Sequence, residues 1–125
     1  MTFEERKAQV RGYLGKKIHI CIDRPIGFVH RKEKYELVYP INYGCIPGVL
    51  GGDGEELDVY LLGVNEPVKE YDARVIAVIH RENDVEDKLA AAPDGMHFTR
   101  KQIAEAVRFQ EQYYEGYVET LSGDE

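Results

Sequence analysis

The chain has 125 residues, 43% of them hydrophobic and 31% charged, and a formal net charge of -7. That length and balance fit one globular domain over residues 1–125 with a core of its own, and with no basic stripe they exclude a protein built to hold a nucleic-acid backbone. Cys21 and Cys45 lack CxxC spacing and are too few for a disulfide framework, and no stretch holds the roughly 18 unbroken apolar residues of a membrane span. The expectation is a reduced, cytoplasmic protein.

Thr2 followed by Glu5 reads as a capping box, and Phe3, Val10 and Leu14 supply an apolar stripe, so a short helix is predicted before Gly15. From Lys17 the period changes to two: Ile18, Ile20 and Ile22 alternate with His19 and Cys21 until Asp23-Arg24-Pro25 ends the strand. Further strands are predicted at Tyr35–Tyr39, Leu57–Leu62, Arg74–His80 and Leu89–Ala92. Thr99 with Gln102 forms a second capping box, and Ile103, Val107, Tyr114, Tyr117 and Leu121 recur at helical spacing, which predicts a long C-terminal helix. Several strands followed by a helix indicate an α+β protein, a small β-barrel with helices on its outside.

The run from Gly51 to Val59 places four carboxylates, Asp53, Glu55, Glu56 and Asp58, within six positions at the start of an apolar strand. Such groups raise one another's pKa unless a cation favours their ionised forms, and magnesium takes oxygen ligands of this kind. Asp58 is expected on the strand face opposite Leu57 and Val59. The same composition also suits a solvated hairpin turn, because Asp-Gly is a favoured turn pair. No EF-hand loop, P-loop, zinc motif or Gly-x-Ser-x-Gly accompanies it, and His19, His30, His80 and His97 are scattered. Arg31 upstream, and Lys88 behind the second acidic patch of Asp84, Glu86 and Asp87, are cations of the kinds that grip phosphate, while Tyr39 and Tyr43 are phenols able to donate to it.

The segment Tyr39-Pro40-Ile41-Asn42-Tyr43-Gly44-Cys45-Ile46-Pro47, continued through Asp53-Gly54-Glu55-Glu56-Leu57-Asp58, resembles the soluble family I inorganic pyrophosphatases. The resemblance extends over roughly residues 17 to 115 and is most specific from Arg31 to Asp58. Where the family carries Asp-x-Asp-Pro-x-Asp, this chain has Asp53, Glu55 and Asp58, so Glu55 replaces the aspartate implicated in activating the attacking water. Arg31, Tyr39 and Tyr43 match a phosphate-binding arginine and two active-site tyrosines, Lys88 matches a phosphate-binding lysine, and Glu86 matches a metal-binding aspartate. Arg81 stands where a further metal-binding aspartate is expected, with Asp84 as its nearest substitute. Tyr113 matches the family tyrosine on the C-terminal helix, Tyr114 replaces the neighbouring lysine, and Arg24, in a condensed N-terminal hairpin, stands in for another lysine.

The resemblance implies a five-stranded OB-like barrel with flanking helices, and a homo-oligomer that acts on inorganic pyrophosphate rather than on nucleic acid or membrane. It further implies hydrolysis to two orthophosphates by a metal-activated water, with Mg2+ as cofactor and Mn2+ as its substitute. Asp53, Glu55, Asp58, Glu86 and Asp84 are the expected metal ligands. Arg31, Tyr39, Tyr43, Lys88, Tyr113 and Arg24 are the expected substrate contacts, with Glu55, Asp58 and Tyr43 nearest the chemistry. The departures at Glu55, Arg81 and Tyr114 leave two alternatives: another phosphoanhydride as substrate, such as a nucleotide or short polyphosphate, or a feebly active module that binds pyrophosphate or metal.

Overall fold

The computed structural model describes residues 2–121. Helix α1 (Phe3–Arg11) leads into strands β1 (Lys17–Arg24), β2 (Val29–Arg31), β3 (Glu36–Val38), β4 (Asn42–Leu50), β5 (Glu56–Leu61), β6 (Glu70–Arg81) and β7 (Lys88–Ala92). Helix α2 (Arg100–Glu111) and strand β8 (Gly116–Thr120) complete the order. The main sheet runs β1-β4-β5-β7-β6-β8, and a further pairing of β1 with β6 closes its first five strands into a barrel. Only the β5–β7 pair is parallel among the described ladders. The small β2–β3 hairpin stands apart as a second sheet. This is the expected five-stranded barrel with outer helices.

Strand alternation sorts the apolar residues into two cores. Ile20, Leu57, Val59, Leu61, Val75, Leu89 and Ala91 fill one cluster, with Val10 of α1 added to it. The opposite faces of the same strands present Tyr43, Tyr60, Ala77, Ile79 and Ala90 to Ile103 and Val107 of α2. Asp58 and Lys88 share strands with Tyr60 and Ala90 at even spacing, so they belong to this second face.

Both capping boxes are present, Thr2 with Glu5 and Thr99 with Gln102. The N-terminal helix departs from the expected apolar stripe: Phe3 is exposed, whereas Arg6, Lys7 and Val10 are buried, and the helix ends at Arg11 before Gly12. The C-terminal helix is shorter than its spacing predicts. It stops at Glu111, and Tyr117 lies on β8, paired with His80 of β6, with Leu121 just beyond the strand. Tyr117, Val118 and Thr120 suit a pleated strand, and at Gly116 an added Cβ would lie 2.0 Å from the His80 carbonyl oxygen, an approach that favours glycine. Strand β4 was hidden by Gly44, Pro47 and Gly48, which lower strand propensity although neighbours on both sides pair with it.

Candidate functional site

The acidic turn and the segment before β7 meet on the barrel's outer wall. Gly51 donates to the Glu55 carbonyl at 2.7 Å and Glu55 N–H donates to Asp53 Oδ1 at 3.0 Å, so the turn is tied at its base and through the Asp53 side chain. Beyond it β5 begins, and Asp58 accepts a hydrogen bond from Lys88 Nζ at 2.7 Å. Glu86 binds the same ammonium, and the Asp53 carboxyl lies against that of Glu86. Lys88 Nζ also sits 5.6 Å from the centre of the Tyr43 ring.

The electrostatics follow from this packing. Burial disfavours the Lys88 ammonium, but the neighbouring charges, Asp58 and Glu86 among them, outweigh that penalty and hold its pKa above the ordinary lysine range. Burial raises the Tyr43 phenol. Burial also raises Glu86, aided by Asp53, while Asp53 is lowered because hydrogen bonding from Glu86 and backbone N–H groups outweighs its own burial. Asp23, which sequence reasoning did not single out, faces Asp58 and Glu56 and is raised chiefly by burial.

A tyrosine layer flanks the cluster. Tyr39 and Tyr43 rings lie 5.5 Å apart and Tyr43 and Tyr60 rings 5.0 Å apart. Arg24 donates to the Tyr39 hydroxyl at 2.5 Å, and its guanidinium sits 5.7 Å from the Tyr43 ring centre. From there Tyr39 donates to Gln110 at 2.6 Å, Gln110 to the Tyr60 hydroxyl at 2.9 Å, and Tyr60 to Glu111 at 2.5 Å. Arg81 closes the chain by donating to Glu111 from Nε at 3.1 Å and from Nη2 at 2.6 Å. Buried dipoles are thus satisfied end to end between two guanidinium groups.

The expected site residues divide into two sets. Asp53, Asp58, Glu86, Lys88 and Tyr43 come together, and Arg24 with Tyr39 borders them. Glu55 is exposed on the turn. Asp84 accepts from Arg81 at 2.8 Å and from its neighbour's N–H, so its carboxylate faces the guanidinium rather than Lys88. Arg31 is exposed and pairs with Glu36 across the β2–β3 hairpin, and Tyr113 stacks on Tyr35 of that hairpin at 5.0 Å. Arg81, at the place expected for an aspartate, also covers the Tyr114 ring at 3.6 Å.

Among the described residues, no three acidic, histidine or cysteine side chains converge tightly enough to enclose a metal as they stand. The donors nonetheless suit a hard divalent ion, being carboxylate oxygens, with those of Asp53 and Glu86 neighbouring one another. A groove of about 460 Å³ between α2 and β8 is lined by Ile79, Val107, Tyr114 and Tyr117, and none of Asp53, Asp58, Glu86 or Lys88 is among its lining residues. No helix among the described residues is long and apolar enough to cross a membrane.

A closed five-stranded barrel with an acidic, ammonium-bridged cluster on its outer wall places the chain in the OB-like class of small barrels. The inorganic pyrophosphatase family model matches residues 14–119, and the chain belongs to that family. A curated relative, soluble inorganic pyrophosphatase 2 of Chlamydomonas reinhardtii, is 34% identical over 116 residues, covering 79% of this chain and 60% of the relative. The chain therefore spans 60% of that relative's length. The fold is similar to the crystal structure of inorganic pyrophosphatase from Ehrlichia chaffeensis, with a TM-score of 0.64 at 21% identity, covering 87% of this chain and 88% of that one. It is also similar to the enzyme of Helicobacter pylori, with a TM-score of 0.63 at 20% identity over 86% of each chain.

Proposed function

We propose that the chain hydrolyses inorganic pyrophosphate to two orthophosphates with Mg2+ as cofactor, Mn2+ serving in its place. The observation that carries this reading is the convergence of Asp58 and Glu86 on the buried Lys88 ammonium beside Tyr43, in a member of the pyrophosphatase family. Asp53, Asp58 and Glu86, with Glu55 from the exposed turn, would hold the metal, and Asp84 would join them only by leaving Arg81. A divalent ion bound there supplies Lewis-acid polarisation and neutralises phosphate charge.

The chain's own groups have separable tasks. Lys88 moves from carboxylates to a phosphate oxygen as a point charge, and Tyr43, its pKa raised, stays protonated and able to donate. Arg24 and Tyr39 border the same surface, while Arg31 and Tyr113 approach the substrate from the hairpin side. Asp58 or Glu55 accepts the proton of the water that attacks one phosphorus, and the bridging oxygen departs with the second phosphate. No covalent link to the chain forms, so positioning and charge neutralisation supply the rate. We further propose that the protein works in the cytoplasm as a homo-oligomer, on the pattern of the family it belongs to.

The test is phosphate release from pyrophosphate with and without Mg2+, run beside ATP and tripolyphosphate, with Asp58→Asn as control. Mg2+-dependent release from pyrophosphate that is lost in the variant is expected. Metal-independent release, or full activity in Asp58→Asn, overturns the mechanism, and preference for ATP moves the assignment to another phosphoanhydride.

A further inference from the structure

Two loops bring Asp53 and Glu86 together, and neither loop is regular structure. What holds them in register comes from α1. Arg6 is 7% exposed, and its guanidinium donates from Nε to Asp87 Oδ2 at 3.0 Å, from Nη1 to the Asp84 carbonyl at 2.8 Å and from Nη2 to the Arg81 carbonyl at 2.8 Å. One side chain thus ties three residues of the 81–87 loop. The same side chain covers the acidic turn: a Cβ at Gly52 would lie 2.7 Å from Arg6 Cδ and 2.2 Å from the Val85 carbonyl oxygen. Gly52 precedes Asp53 and Val85 precedes Glu86, so the residues just before two candidate ligands meet under Arg6.

We propose that Arg6 is a positioning residue for the metal-holding cluster, the stitch that fixes the Asp53 turn against the Glu86 loop. Its neighbour Lys7 provides the contrast. Lys7 Nζ binds Asp87 at 2.9 Å and the Arg81 carbonyl at 3.1 Å, so it anchors the 81–87 loop, whereas the side-chain atoms nearest an added Gly52 Cβ are Cδ and Cγ of Arg6. A planar fork with several donors at fixed angles can hold two backbone carbonyls and a carboxylate together, which a lysine ammonium at the same place does not reproduce. Groups behind metal ligands typically change metal affinity about 10- to 100-fold when removed.

This inference rests on reading the cluster as a metal site, so the test begins with the metal alone. Mn2+ binding is measured by electron paramagnetic resonance for wild type, Arg6→Met, Arg6→Lys and Lys7→Met, with thermal unfolding of each and pyrophosphatase kinetics at saturating Mg2+. Arg6→Met and Arg6→Lys are expected to weaken Mn2+ binding about 10-fold, with much of the lost activity restored at saturating metal. Lys7→Met is expected to lower the melting temperature while leaving Mn2+ affinity unchanged. Equal losses of Mn2+ affinity in Arg6→Lys and Lys7→Met, or unchanged affinity in a folded Arg6→Lys, overturn the positioning role and leave the proposed function standing. Wild type that fails to bind Mn2+ overturns both. If Arg6→Met does not fold, the comparison of Arg6→Lys with Lys7→Met decides the matter alone.

Discussion

Glu86, Asp87 and Lys88 are consecutive, yet they serve two different environments. Glu86 and Lys88 turn toward the open cluster with Asp58 and Asp53, where carboxylates share an ammonium. Asp87 turns the other way and is 1% exposed, with Arg6, Lys7 and the Arg81 N–H donating to it at 2.7–3.3 Å. On the anchoring side the carboxylate is lowered, because hydrogen bonds and two cations outweigh its burial. On the working side Glu86 is raised by burial beside another carboxyl. Saturated charge suits rigidity, whereas the working side leaves oxygens that a divalent ion and phosphate can take over.

The anchoring side is the place to expect the largest effect on stability. Asp87→Ala strands Arg6 and Lys7 as buried, unpaired charges, which typically costs about 3–5 kcal/mol. Urea denaturation of the variant checks this, and a loss of less than about 1 kcal/mol would show that water reaches the site and that the two sides differ less than their packing indicates. On the working side, Lys88→Met is expected to lower kcat about 100-fold, the scale of losing one charge-stabilising donor. The same variant frees Asp58 and Glu86 from their ammonium, so metal binding tightens while turnover falls. Steady-state kinetics beside a Mg2+ titration read both directions, and weaker metal binding would contradict the competition.

His80 extends the anchoring side and gives it a pH signature. Its side chain is fully buried, Nε2 lies 2.6 Å from Glu119, and burial lowers its pKa, with Lys7 adding to that and Asp87 and Glu119 opposing it. A histidine in the unfolded chain takes up its proton near pH 6.5. The unfolded state therefore binds more protons below that value, so this contribution is full above it and is lost as pH falls toward the folded pKa. Glu119, whose own pKa is lowered because its bonds to His80 and Arg11 outweigh its burial, acts only in the more acidic carboxylate range. Thermal melts at about pH 7.5 and 5.5 should show a loss in wild type that shrinks in His80→Gln.

The smallest expected change is at the hairpin. Arg31 and Glu36 are an exposed pair, so Arg31→Ala should alter stability by no more than about 0.5 kcal/mol. If the hairpin approaches bound pyrophosphate as proposed, KM rises with kcat nearly kept. An unchanged KM would remove Arg31 from the substrate contacts.

The barrel was legible wherever the local pattern was strong. Ile18 to Ile22 became a strand by its alternation, and Leu57 to Leu61 and Leu89 to Ala92 did so as short apolar runs, both being local patterns. Both helix starts were legible for the same reason, each carrying its own capping box. Local signals failed where partners lay far along the chain. Tyr114, Tyr117 and Leu121 keep helical spacing, but pairing with β6 draws Gly116–Thr120 into a strand. Nothing local to the first helix marks Arg6 and Lys7 for burial, and a partner 80 or so residues away, Asp87, turns them inward.

The site shows the same division. The chain by itself determined which donors exist, a carboxylate-rich turn followed by a strand that sends Asp58 away from Leu57 and Val59, because side-chain alternation needs no knowledge of the rest of the fold. Only the tertiary structure decided which of those donors meet. Closure of the barrel sets β5 beside β7 and so puts Lys88 between Asp58 and Glu86, while the loop that holds Asp84 turns it onto Arg81. Charge pairing across long sequence separations depends on backbone geometry that no single segment carries, which is why Asp53 and Asp58 could be named from the sequence and Arg6 could not.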